Sequence, residues 1–195
     1  AADNILDGGA GADTLIGGVG DDRYVVNLTA AGALEDTVTE AASAGTDTIR
    51  LIGTSTNTAV VMLTITANVE NLDISGTGSS KLNLTGSTAN NTLVGNAADN
   101  ILDGGAGADT LIGGAGNDIY VVDNTGDSVT ENSNEGTDLV RVAIATADGT
   151  YTLGNNIENA TLTNTVSYSL TGNGLNNVLT GNVANNVLTG GDGND

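Results

Sequence analysis

Large apolar residues return every nine positions along much of this chain. Leu84, Leu93, Leu102, Leu111 and Tyr120 follow one another without a break, as do Leu6, Leu15 and Tyr24, and Leu170, Leu179 and Leu188. Nine is no multiple of the 3.6-residue helical turn, and it does not suit independent hairpins. It suits a short strand plus a tight turn, repeated as a solenoid. Local alternation agrees: Leu72 and Ile74, Leu82 and Leu84, and Val61, Leu63 and Ile65 stand two apart with polar residues between them, so one face of each strand is buried. With 29 glycines and abundant Thr, Val and Ile, helix has little support. A flexible linker would not hold large side chains in strict phase.

A longer period overlies the short one. ADNILDGGAGADTLIGGVGDDRYVV at residues 2–26 returns almost unchanged at 98–122, an offset of 96. DTVTE from Asp36 then matches DSVTE from Asp127, GTDTIR from Gly45 matches GTDLVR from Gly136, and NVENL from Asn68 matches NIENA from Asn156. The chain reads as one solenoid segment, residues 1–195, of a longer protein, with two copies of a long unit at about 2–97 and 98–195. Nonapeptide tracts fall at 1–25, 86–121 and 172–195. The stretches 27–85 and 123–171 lose the nine-residue pattern, and are either coils of irregular length or a loop packed on the side; alternation in ENLDISGTGSSKLNLTG favours coils.

Twenty-four acids face four bases, a formal charge of −20. Such a chain expands unless cations bind it. Nucleic acid is a poor partner, because phosphate binding needs clustered Lys or Arg, and attraction to an anionic membrane surface fails for the same reason. The longest apolar run, residues 59–63, falls far below the roughly 18 residues of a membrane span, so no membrane insertion is expected. Without cysteine or histidine there is no disulfide, no thiol nucleophile and no common zinc or copper site. Lys81 has only serines beside it, and no dinucleotide or P-loop fingerprint is present, so no catalytic residue is assigned and the chain reads as a non-enzyme.

Within each nine, glycines allow tight turns with positive φ, where backbone carbonyls can converge on a small ion, and a carboxylate follows at the sixth position. Oxygen donors of this kind suit Ca²⁺, which takes six to eight of them in tolerant geometry. The repeats GGAGADTLI from Gly8, GGVGDDRYV from Gly17, GGAGADTLI from Gly104 and GGAGNDIYV from Gly113, with a truncated GGDGND from Gly190, resemble the calcium-binding nonapeptides of the RTX, or haemolysin-type, family. The resemblance implies an all-β, right-handed parallel β-roll with two nonapeptides per coil and ions between stacked turns. It implies carboxylate ligands at Asp13, Asp22, Asp109, Asp118 and Asp195, and carbonyl ligands in the turns at Gly9, Gly11, Gly18, Gly20, Gly105, Gly107, Gly114 and Gly116. Turns stacked two nonapeptides apart would add Asp127 above Asp109 and Glu40 above Asp22.

Other turns keep the period but lose the acid: Asn91, Asn100, Asn177 and Asn186 occupy the sixth position and should continue the roll with weaker calcium binding or none. Asp3, Asp21 and Asp99, at the fifth, are either assisting ligands or solvated turn acids. Asp36, Asp47 and Asp138 suit a capping role at least as well as metal binding. At two nonapeptides per coil the chain would make roughly eleven coils, a rod on the order of 50 Å long.

The resemblance further implies a calcium-folded structural or spacer module of a secreted bacterial protein, exported by a type I pathway to the extracellular space or cell surface. Its partners would be calcium ions and flanking repeats, and end-to-end self-association of the segment stays open. Alternatives are an accessory module of a secreted protease, lipase or polysaccharide epimerase, or an adhesive or ice-binding surface.

Overall fold

The computed structural model describes residues 2–195. Among them the chain forms nineteen short strands and no helix. In order these are β1 (Ile5–Asp7), β2 (Thr14–Ile16), β3 (Arg23–Asn27), β4 (Thr37–Thr39), β5 (Thr48–Ile52), β6 (Val61–Thr64) and β7 (Asn71–Gly76). Then come β8 (Leu82–Ser87), β9 (Thr92–Val94), β10 (Ile101–Gly105), β11 (Thr110–Ile112), β12 (Ile119–Val122) and β13 (Ser128–Thr130). The last six are β14 (Leu139–Val142), β15 (Gly149–Thr152), β16 (Asn159–Leu162), β17 (Tyr168–Thr171), β18 (Val178–Thr180) and β19 (Leu188–Thr189).

Every strand-to-strand pairing within the sheets is parallel and joins strands two apart in sequence. Odd strands β1 to β13 form one seven-stranded sheet and β15-β17-β19 continue on a three-stranded one; even strands form the pair β2-β4 and a seven-stranded sheet from β6 to β18. This is a two-faced parallel β-solenoid of about nine turns, the β-roll architecture implied by the nonapeptides. Turns alternate between the two edges.

The nine-residue period becomes two columns of stacked side chains. On one face Leu84 pairs with Leu102 and Leu102 with Tyr120; on the other Leu93 pairs with Leu111 and Leu111 with Val129. All but Val129 are fully buried, and the columns meet in one thin apolar layer. Buried residues alternate with outward, half-buried and mostly polar ones, as β3 and β5 show.

Coil length sets the departures from regularity. Within the nonapeptide tracts each coil is two nonapeptides long, as in the pairs Ile5↔Arg23 and Leu84↔Leu102. The stretches 27–85 and 123–171 form parallel coils of the same sheets, with longer register steps: 25 at Arg23↔Thr48, 23 at Thr48↔Asn71 and 20 at Ile119↔Leu139. The longer coils reduce eleven expected turns to about nine, which shortens the expected rod to roughly 40 Å at ~4.8 Å per strand. The longest coil carries an outward loop closed by the antiparallel bridge Leu28↔Leu34. That loop holds five of the residues by which the first unit exceeds the second, so the internal offset falls from 96 to 91 across it. Beyond it β4 does not pair with β6, and at the matching place β13 does not pair with β15.

Candidate metal centres

The residue just before each strand lies at the end of a turn, and these residues form ladders along the two edges. On one edge the backbone N–H of Asn4 donates to Asp22 Oδ1 (2.7 Å), that of Asp22 to Asp47 Oδ1 (2.7 Å) and that of Asp47 to Glu70 Oε2 (2.8 Å). The same ladder continues from Asn91 to Asp109 Oδ1 (2.7 Å) and from Asp109 to Asp127 Oδ1 (3.0 Å). The other edge repeats the arrangement from Asn100 to Asp118 (2.7 Å), Asp118 to Asp138 (2.8 Å) and Asp138 to Glu158 (2.8 Å), with Asp13 to Asp36 (3.1 Å) and Asn177 to Asp195 (2.9 Å). One carboxylate oxygen of each rung thus fastens the coil before it.

The second oxygen has no such use. Oδ2 of Asp13, Asp22, Asp36, Asp47, Asp109 and Asp118 is buried without a hydrogen-bond partner. Asp22, Asp109 and Asp118 are each 1% exposed and Asp47 is wholly covered. A buried anionic oxygen with no donor is costly unless a cation meets it. No base does so: among the described residues the one ion pair is Arg50 with Asp73, at 3.8 Å. Without an ion, burial therefore favours the neutral forms of Asp47, Asp109 and Asp118. Burial, reinforced by nearby carboxylates, raises Asp109 and Asp138 above the usual carboxylate range and pushes Asp118 up to about 7.

The asparagine turns solve the same problem with their own atoms. Asn91 Oδ1 accepts the Ser87 N–H (2.7 Å) while its Nδ2 donates to Glu70 O (3.0 Å). Asn100 accepts from Asn96 N–H (3.0 Å) and donates to Leu82 O (2.6 Å); Asn177 and Asn186 repeat the pattern with Asn173 N–H and Ile157 O, and with Asn182 N–H and Tyr168 O. The asparagine Oδ1 lies beside the first glycine of its turn, as the bare aspartate Oδ2 does, but there it accepts a turn N–H, and the amide N–H₂ donates to a carbonyl of the coil before.

Glycine makes room for both versions. Gly9, Gly11, Gly18, Gly20, Gly105, Gly107, Gly114 and Gly116 all have φ between 76° and 144°, a region that side chains rarely adopt. The first glycine of a repeat serves differently: a Cβ on Gly17 would overlap Asp22 Oδ2 and the Tyr24 hydroxyl, and one on Gly113 would overlap Asp118 Oδ2 and the Tyr120 hydroxyl.

Asp127 stacks one coil beyond Asp109 as expected, although its Oδ2 is already held by the N–H groups of Asp123 and Asn124 (3.0 Å each). Glu40 does not stack on Asp22 in the ladder, because the longer coil brings Asp47 there. Glu40 reaches the same place from the start of the turn, and Asp22, Glu40 and Asp47 offer carboxylate oxygens within 4.8 Å of one another. Asp118, Glu131 and Asp138 form the matching group. Neither Glu131 nor a ligand role for Asp47 and Asp138 is evident from the nine-residue period. The signal lies in the offset of 91 that maps Glu40 onto Glu131 and Asp47 onto Asp138. Asp3, Asp21 and Asp99 lie exposed and cap the N–H groups of Asp21 (2.9 Å), Thr46 (2.8 Å) and Asn117 (2.8 Å).

A parallel solenoid whose edges carry buried, unneutralised carboxylates in glycine turns is an acidic repeat module with donors suited to a hard cation. The RTX calcium-binding nonapeptide repeat matches in four copies, over residues 1–27, 85–120 and 171–195, so the chain carries repeats of that family. No curated protein and no solved structure matches it significantly.

Proposed function

We propose that the chain is a calcium-folded structural module, a spacer or scaffold that sets outside the cell. The observation that carries this reading is the row of buried Oδ2 atoms without a donor, from Asp13 to Asp118, in turns whose asparagine counterparts are fully hydrogen-bonded. Ions bound only by the folded chain stabilise it by mass action, about 1.4 kcal/mol per independent site at free calcium ten times Kd. Several such sites weigh heavily against typical net stabilities of about 5–15 kcal/mol. In calcium-poor surroundings the same acids repel, which favours an unfolded chain competent for type I export.

The ligands in this reading are Asp13, Asp22, Asp109, Asp118 and Asp195, with carbonyls of the paired glycines and with Asp127 and Glu40 in the adjoining coils. Support comes from the ladder geometry and from the family's repeats, which are typical of secreted proteins. A repeat-only solenoid suits a structural part better than a catalytic one, and no helix among the described residues is long and apolar enough to cross a membrane. Far-UV circular dichroism tests the reading: millimolar calcium should give a β signal that excess chelator abolishes or weakens and that magnesium restores poorly. An identical β signal in calcium and in chelator would refute it.

A further inference from the structure

The family's repeats end at Asn27 and Tyr120, yet two of the deepest acidic groups extend beyond them. Asp22 closes the last turn of the first nonapeptide tract, while Glu40 and Asp47 open and close the turn one coil further on. Asp118, Glu131 and Asp138 occupy the same three places in the second unit. Each group therefore bridges a regular turn and the first long coil. There the register step changes from 18 to 25 in one unit and from 18 to 20 in the other.

Acidity alone would not make these places special, but three further observations point to a ligand. First, Oδ2 of Asp22, Asp47 and Asp118 and Oε2 of Glu131 are buried, in residues at most 7% exposed, and have no partner. Second, the oxygens of each group lie within 4.8 Å of one another, close to the span of oxygens across one calcium ion with bonds of about 2.3–2.6 Å. Third, the leucine of the nine-residue clock is replaced by tyrosine at these junctions. Tyr24 and Tyr120 are fully buried, and their hydroxyls donate to Glu40 Oε2 and Glu131 Oε1 respectively. Tyr24 also accepts the Gly17 N–H (2.9 Å). A leucine would fill the core equally well but could not aim the glutamate at the two aspartates.

We propose that Asp22–Glu40–Asp47 and Asp118–Glu131–Asp138 each hold one calcium ion and act as junction clamps, a class of site separate from the turns within the nonapeptide tracts. The clamp ties a coil of fixed length to one of variable length. Tyr24 and Tyr120 are positioning residues that hold the glutamate oxygen in place. This rests on the reading of the chain as a calcium-binding module.

The test counts bound calcium by equilibrium dialysis on the whole chain. Glu40→Gln with Glu131→Gln is nearly isosteric and removes both charges; the amide oxygen can still accept the tyrosine hydroxyl, at the expense in Glu40→Gln of the Ala41 N–H that Oε1 accepts (2.8 Å). The double variant should bind two fewer ions than the wild type or fill those two only at much higher calcium, while Asp109→Asn should leave the two clamp ions in place. Crystals of the wild-type chain grown with terbium provide a measurement independent of any variant, with anomalous density expected inside both groups. An unchanged calcium count and affinity in the double variant, or terbium density at the nonapeptide turns but not at the clamps, would overturn the clamps and leave the module reading intact. A wild-type chain that binds no calcium would overturn both.

Discussion

Replacing Asp109 by asparagine should change the sign of its effect on stability with the calcium concentration. Asp109 is 1% exposed, its Oδ1 takes the Asn91 N–H at 2.7 Å, and its Oδ2 is buried with no donor. Burial first, and then repulsion from Asp127, Asp123 and Asp103, raise its pKa. Asn91, one coil earlier, shows how an amide satisfies such a turn: its oxygen, beside Gly86 as Asp109 Oδ2 is beside Gly104, accepts the Ser87 N–H at 2.7 Å, and its Nδ2 donates to Glu70 O at 3.0 Å. Without calcium, Asp109→Asn removes an unsatisfied buried oxygen, a gain of about 1–3 kcal/mol.

With calcium the balance reverses, because the variant loses a ligand. A lost site costs about 1.4 kcal/mol at ten times Kd and about 2.7 kcal/mol at a hundred times. If the ion-free gain is about 1 kcal/mol, the two curves cross near four times Kd by the same relation. Urea denaturation followed by far-UV circular dichroism near neutral pH, in chelator and across a calcium series, should show the variant more stable than wild type at one end and less stable at the other. A variant less stable than wild type at every calcium level, or equally displaced at all of them, would refute the inference that Oδ2 faces an ion.

Other substitutions separate scaffold from site. Leu102→Ala removes a fully buried side chain stacked between Leu84 and Tyr120 and should destabilise the calcium-loaded chain by about 2–5 kcal/mol in the same denaturation assay. Gly113→Ala places a methyl group on the Tyr120 hydroxyl and on oxygens of Asp118 and Glu131, and should cost about 1–3 kcal/mol, whereas Gly174→Ala, with open space around it, should move stability by no more than about 0.5 kcal/mol. The calcium-free chain should also lose stability as pH rises. Burial pushes Asp118 up to about 7 and Glu131 up to about 8, above the usual values near 4, so the ion-free fold binds more protons than the unfolded chain between these limits. The loss is on the order of 4 kcal/mol for each group as pH rises from about 4 through about 8. Thermal midpoints in chelator should accordingly fall between about pH 5.5 and about pH 8.5, and a flat profile would contradict the burial of these acids.

The period of nine made the architecture legible, because a residue that must point inward at every half coil leaves little choice of fold. Leu84, Leu93, Leu102 and Leu111 could be placed on two facing sheets from spacing alone, and their registers follow it. The long coils were legible only as alternation. Their lengths obey no period, so the partner of Asp22 could not be read by counting two nonapeptides forward. The clamp glutamates were hidden for the same reason. That count reaches Glu40 from Asp22 although it does not describe the coil between them, and no count in nines reaches Glu131 from Asp118. Pairing of β4 with β6 fails at a place no local sequence marks, because sheet continuity depends on how the longest coil and its outward loop reseat the following strand.

The mixture of aspartate and asparagine turns explains how a chain with a charge of −20 can keep so thin a core. A solenoid built only from aspartate turns would leave a bare buried oxygen at every half coil, and would owe each turn to an ion. One built only from asparagine would stand without ions, as Asn91, Asn100, Asn177 and Asn186 do through their own amides. Here the asparagine turns lie between and beyond short runs of acidic rungs: Asp22, Asp47 and Glu70 are separated from Asp109 and Asp127 by Asn91. The spacing limits repulsion in the ion-free chain, where charges farther apart than a Debye length of about 8 Å are screened. In the proposed reading it also concentrates the requirement for calcium at the nonapeptide turns and at the junctions with the long coils. On that reading dependence on calcium is graded along the rod, and the coils around Asn96 and Asn100, whose side chains bond to Thr77, Ser80 and Leu82, are a part of the stack whose hydrogen bonds close without an ion.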